Sequence, residues 1–228
     1  MQNQHFHHYL CRPKAAWGIN MEQENSMLQG SLVLFNYHMR MTNKYAGVIL
    51  KQKGMVKNMK KGRIIFLNGI TSSGKTSIVE SLQNQEDIFF YVVANDLFQE
   101  MVGENYLRKN YWKYLSEVII MMYHTAKLYS DMGKNVLIDG ILVEREEIKP
   151  HYSQLLGILE NNPLDIVEIY CPLDICRQRN IIREDRYETQ SQEQYSLMAK
   201  NIKYSAKVDT SIYSPEECAK KIIKELFN

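Results

Sequence analysis

Residues Gly69-Ile70-Thr71-Ser72-Ser73-Gly74-Lys75-Thr76 match the pattern G-x-x-x-x-G-K-[ST] in full. No other feature constrains the fold as strongly, because this motif works only where a strand ends and a helix begins. Here it has that setting: the apolar run Arg63 to Asn68 precedes it, and Lys75 to Gln83 reads as a helix. The glycines let the backbone turn so that successive N–H groups converge on phosphate oxygens. The helix N-terminus adds partial positive charge. Lys75 suits the β- and γ-phosphates as a point charge, and the Thr76 hydroxyl suits Mg²⁺. Ser72 and Ser73 can add hydroxyl contacts, and Ser77 extends the phosphate-facing run. The implied ligand is ATP with Mg²⁺.

Downstream, strand and helix patterns alternate. Ile88 to Ala94 is β-branched and aromatic, as a buried strand should be. A helix follows from about Leu97. Leu107 to Met132 predicts one long helix with Leu107, Tyr111, Leu115, Val118 and Met122 on one face, closed by Gly133. Asn135 to Asp139 and Leu164 to Tyr170 predict strands. Between them Glu144 to Asn161 reads as a helix that Pro150 breaks or restarts. Leu173 to about Arg183 predicts a further helix, Asp185 to Gln194 a polar lid, and Lys207 to Thr210 the last strand. Ser214-Pro215-Glu216-Glu217 is a capping box with proline at the first helical position, starting a helix to about Leu226. The expected architecture is α/β: a three-layer P-loop NTPase fold, with a five-stranded parallel sheet flanked by helices.

The net charge of +2 conceals an asymmetry. Residues 1–61 hold nine Lys/Arg and two Asp/Glu, whereas residues 62–228 hold nineteen and twenty-four. The folded body at 62–228 is therefore mildly acidic, which argues against a nucleic-acid surface there. Residues 1–61 read as an N-terminal extension outside the fold, and Met59 opens MKKGRIIFLNG like a natural start. No apolar run approaches the roughly 18 residues that a membrane-spanning helix needs. The four cysteines form no CxxC pair, and reduced thiols in a cytoplasm are the simple expectation.

Several polar residues are placed to do chemistry. Asp96 follows the second strand, where ligands of open α/β sheets sit, so its carboxylate is either a general base or part of a helix cap with Asn95. Asp139 ends an apolar strand and serves either the metal side of the site or an Asp-Gly turn. Arg179, Arg183 and Arg186 share one face of a continued helix. They either bind the transferring phosphoryl group or form a solvated face paired with Glu184 and Asp185. Asp209 and Thr210 follow the last strand, with adenine contact and turn chemistry both open. Tyr111, Trp112, Tyr114 and Tyr123 are either core or the lining of an acceptor pocket.

No N-K-x-D motif is present, as a GTPase would require, and an ATPase motor would be larger. The runs IIFLNGITSSGKTSIVESLQ, VVANDLF, NVLIDG, RNIIREDR and KVDTSIYSPEECAKKI together resemble the chloramphenicol phosphotransferase-like family of P-loop kinases, over about residues 62–228. Gly140 stands where members often carry a second acid. The resemblance implies phosphoryl transfer from ATP to a hydroxyl of a small molecule, chloramphenicol in the namesake, and hence antibiotic resistance. It implies Asp96 as the base and the arginine series as phosphate ligands. A toxin-type or shikimate-type kinase with another acceptor, and an ATP-binding switch without transfer, are the alternatives.

Overall fold

A computed structural model of the chain describes residues 60–146, 149–182 and 189–227. All of the N-terminal extension up to residue 59 lies outside them, as do Arg183 and Arg186.

The strands are β1 (Ile64–Asn68), β2 (Phe90–Ala94), β3 (Asn135–Gly140), β4 (Leu164–Tyr170) and β5 (Ala206–Asp209). They form one parallel sheet in the order β2-β3-β1-β4-β5. The helices are α1 (Lys75–Gln83), α2 (Asn95–Gln99), α3 (Glu104–Lys109), α4 (Tyr111–Asp131), α5 (His151–Ile158), α6 (Leu173–Ile182), α7 (Gln190–Leu197) and α8 (Pro215–Phe227).

The central strand shows why the sheet is covered on both faces. Ile64, Ile65, Phe66 and Leu67 have no solvent exposure at all. Side chains alternate along a strand, so neighbours enter different layers. Ile64 and Phe66 join Leu115, Val118 and Met122 of α4 on one face. Ile65 and Leu67 join Ile78 and Leu82 of α1 and Ile222 of α8 on the other. Each such side chain contributes roughly 1.5–3 kcal/mol of burial. Because every pairing is parallel, all five carboxyl ends lie along one edge of the sheet, where the motif residues collect.

Three elements differ from expectation. The long helix is two, because Asn110 has non-helical backbone (φ −155°, ψ 82°) and its Oδ1 accepts the Lys113 N–H to cap α4. The helix expected from Glu144 begins only at His151, after Pro150. Part of the polar lid is helical: α7 carries two buried polar residues, Gln190 and Ser191. The final capping box is as predicted, with Ser214 N–H donating to Glu217 at 2.8 Å and Glu217 N–H to Ser214 at 3.2 Å. Cys171, Cys176 and Cys218 are free thiols. No helix among the described residues is long and apolar enough to cross a membrane.

His151 opens α5 fully buried, with Nε2 3.3 Å from Ser116 Oγ. Its Nδ1 has no partner among the described residues. Burial pushes its pKa down to about 4. The folded state thus holds the ring neutral down to about pH 4 while the unfolded chain takes up its proton near pH 6.5. This contribution to stability is complete above the unfolded pKa and is lost as pH falls towards 4. Between pH 7 and pH 5 the native protein should lose about 2 kcal/mol that a His151→Phe variant does not lose. Urea unfolding of both proteins at the two pH values checks this, and parallel losses would contradict it.

Candidate active site

The P-loop connects β1 to α1 through backbone that few residues tolerate. Gly74 has φ +90°, and a Cβ there would lie 3.3 Å from Thr210 Cγ2. At Gly69 a Cβ would come within 2.7 Å of the Ile169 carbonyl oxygen, which is backbone and cannot yield. Ser72 also has positive φ, 59°, which costs a residue with a Cβ of order 1–3 kcal/mol. Two neighbouring residues of α6 hold it there. Ser72 Oγ donates to Asn180 Oδ1 at 2.6 Å, and Arg179 donates to the Ser72 carbonyl at 3.3 Å. Asn180 passes the connection on by donating to Ser191 of α7. Thr210 fastens the next residue, its hydroxyl donating to the Ser73 carbonyl at 2.7 Å.

The loop suits an anion. α1 starts at Gly74 with no side-chain cap and no acidic residue in its first turn, so side chains leave its N-terminal N–H groups and partial positive charge unanswered. Lys75 Nζ donates to the carbonyls of Gly69 and Ile70 at 2.6 and 2.9 Å, which holds the ammonium over the start of the loop. Ser73 Oγ is buried with no hydrogen-bond partner among the described residues. Such a group is expected where a ligand completes the site.

On one side of the loop lies an open cleft that brings Lys75, Thr76, Asp96 and Asp139 together. Asp139 lies beside Leu67 of β1 and Ala94 of β2, at the carboxyl edge of the sheet. Asp96 lies in the first turn of α2. The cap residue there is Ala94, and no side chain makes a cap hydrogen bond, so Asp96 is not fixed as a helix cap. Its carboxylate is exposed and close enough to Tyr111 to help raise that phenol's pKa, although burial is the larger cause. Tyr111 and Trp112 pack edge-to-face, 5.0 Å between centroids, at the margin of the core. Tyr123 is fully buried against Phe66 and belongs to the core.

On the other side of the loop is a second cavity, lined by Ser77, Arg179, Ile182, Thr210, Tyr213 and other residues. Arg179 faces this cavity rather than the Asp96 cleft. It donates to the Thr210 hydroxyl at 3.2 Å and to the Thr210 carbonyl at 2.9 Å. Its charge also helps hold the Cys171 thiol below its ordinary pKa, chiefly an effect of the hydrogen bond with Cys176. Asp209 accepts from Ser211 N–H and Oγ, so it serves the turn.

Three residues at the site carried no signal in the sequence reading: Asn180, Ser191 and Gln194. Gln194 lines the cleft, and its Oε1 accepts the Thr71 N–H at 2.6 Å. No group of three or more metal-ligating side chains occurs among the described residues. A P-loop Mg²⁺ needs none, since it is held mainly by a hydroxyl, waters and phosphate oxygens.

A protein-family model described as chloramphenicol phosphotransferase-like protein matches residues 62–227. The chain belongs to that family. No curated protein matches it. Among solved structures, the Mycobacterium tuberculosis APS kinase in complex with AMPPNP and APS aligns at 18% identity and a TM-score of 0.58, covering 74% of this chain and 99% of that one. A sugar kinase from a Janibacter species aligns at 19% identity and 0.57, covering 73% and 95%. The shikimate kinase of Acinetobacter baumannii in complex with shikimate aligns at 13% and 0.53, covering 75% and 97%. At these identities the likeness is one of fold: this member of the family has the fold of P-loop kinases.

Asn180 is the joint between the strained Ser72 and α7. Asn180→Ala leaves two buried hydroxyls without their partner and should cost about 2–3 kcal/mol, read by urea unfolding. A loss under about 0.5 kcal/mol would mean that the web does not hold the loop.

Proposed function

We propose that the chain is an ATP-dependent phosphotransferase acting on a hydroxyl of a small molecule. The observation that carries this is the division of the site by the P-loop, with Arg179 and Thr210 on one side and Asp96 and Asp139 on the other. A triphosphate lying along the loop would have its nucleoside end in the Arg179 cavity. Its terminal phosphate would then face the two carboxylates. Family membership supports the same reading.

In this account Lys75 and the N–H groups of Thr71 to Ser77 bind and orient the phosphate chain. Thr76 and Asp139 are the residues that would hold Mg²⁺, which supplies charge neutralisation on the phosphate oxygens when bound. Asp96 faces the acceptor. As the acceptor oxygen bonds to the γ-phosphorus and the bridging oxygen leaves with ADP, the hydroxyl proton passes to the Asp96 carboxylate. Arg179 steadies Ser72 and the Thr210 turn on the nucleoside side. Arg183 and Arg186, which follow α6 in the sequence and lie outside the described residues, are further candidates to bind the transferring phosphoryl group. The kinase folds seen with AMPPNP and APS, and with shikimate, lend support to a two-ligand cleft of this kind.

Incubation with ATP labelled at the γ-phosphate and a panel of hydroxyl compounds that includes chloramphenicol should give a labelled product. Asp96→Asn should retain ATP binding and lower turnover by about 10²–10⁴. Tight ATP binding with no product across the panel would point to a nucleotide-binding switch. Near-native turnover in the variant would exclude Asp96 as the base.

A further inference from the structure

A P-loop grips phosphate through backbone N–H groups, and each N–H has a single proton to donate. One of them is engaged from within the chain. Thr71 N–H donates to Oε1 of Gln194 at 2.6 Å, from a residue 123 positions away. Gln194 lines the same cleft as Lys75, Thr76, Asp96 and Asp139. An amide oxygen on that N–H stands where a phosphate oxygen would have to stand. Thr71 is also at the end of the loop that meets the terminal phosphates. It directly follows Gly69 and Ile70, whose carbonyls hold Lys75 Nζ, and the lysine of this motif reaches the β- and γ-phosphates.

We propose that Gln194 competes with the donor's terminal phosphates for the Thr71 N–H, and so lowers and sets the affinity for the triphosphate. The inference rests on the nucleotide-binding reading above and adds a residue that determines which phosphate chains are held.

The anchoring of α7 limits what the exchange involves. Ser191, near its start, is held through Asn180 to Ser72. At its last residue Glu144 N–H donates to the Leu197 carbonyl at 2.8 Å, and just past it Ala199 N–H donates to the Leu142 carbonyl at 2.7 Å. The helix is fastened on both sides of Gln194, and Gln194 itself is only half-buried. Release of Thr71 therefore needs rotation of one side chain, not departure of the helix. The exchange then involves one amide-to-amide hydrogen bond, which corresponds to about a two- to tenfold effect on a binding constant. The anchors at Leu197 and Ala199 also grip residues 142–144, which leave β3 just after Asp139, so α7 keeps its place while the side chain turns.

The test is calorimetric titration of the full-length protein and of Gln194→Ala with a non-hydrolysable ATP analogue and with AMP. In the variant the Thr71 N–H has no internal acceptor. The analogue should bind about two- to tenfold more tightly, while AMP, which does not reach Thr71, should bind unchanged. Gln194→Asn keeps the amide but withdraws its oxygen by one methylene, and should behave as Ala does. It decides the matter if the Ala variant does not fold. Unchanged or weaker binding of the analogue would overturn the competition, as would equal tightening for AMP, which would indicate a general opening of the cleft. Binding of no adenine nucleotide by the native protein would overturn the competition and the kinase reading together.

Discussion

The whole site depends on holding a short stretch of backbone in a conformation that it would not keep alone. Ser72 and Gly74 both sit at positive φ, and Ser72 carries a Cβ. The strain is tolerated because the loop is gripped from outside. Asn180 takes the Ser72 hydroxyl, Arg179 its carbonyl, and Thr210 the carbonyl of Ser73. Asn180 and Arg179 lie on α6, the helix that follows β4, and Thr210 directly follows β5; these two strands stand on one flank of β1. The parallel topology thus acts directly on chemistry: it brings the ends of β4 and β5 to the loop that follows β1, and they hold it open towards an anion.

On the opposite flank the same topology delivers the carboxylates. β3 pairs with β1 and presents Asp139, and β2 pairs with β3 and leads into Asp96. The loop is therefore flanked by a cationic side, with Arg179, and an anionic side, with Asp96 and Asp139. In the proposed reading, a phosphate chain bound between them would have one end against the arginine and the other against the two carboxylates.

Much of this was legible in the sequence, and the part that was not has a physical explanation. The P-loop, the strands and the final capping box announce themselves through apolar runs, glycine and short-range side-chain caps, which are local properties of the chain. α1 and β4 fall on their predicted residues. The expected lid, Asp185 to Gln194, overlaps the first five residues of α7, whose sequence, QSQEQYSL, has no apolar stripe. Its inward side is Gln190 and Ser191, both buried, and Ser191 accepts from Asn180 of α6. Hydrophobic periodicity cannot detect such a helix. Asn180 and Gln194 escaped notice for the same reason: their importance lies in hydrogen bonds to residues more than a hundred positions away. The break at Asn110 was hidden differently. The apolar spacing runs through it, and one side-chain cap decides that the chain restarts there. For Asp96 the structure speaks to the cap alternative: α2 is capped at Ala94 with no side-chain hydrogen bond.

The central claim is that the P-loop and the two carboxylates are halves of one transfer site. A crystal structure of the protein with a non-hydrolysable ATP analogue and Mg²⁺ tests it most directly. The account predicts the nucleoside in the cavity of Arg179, Thr210 and Tyr213, the metal between Thr76 and Asp139, and the terminal phosphate against Lys75 with Asp96 facing it. A nucleotide bound in the reverse direction, or a terminal phosphate turned away from Asp96, would contradict it.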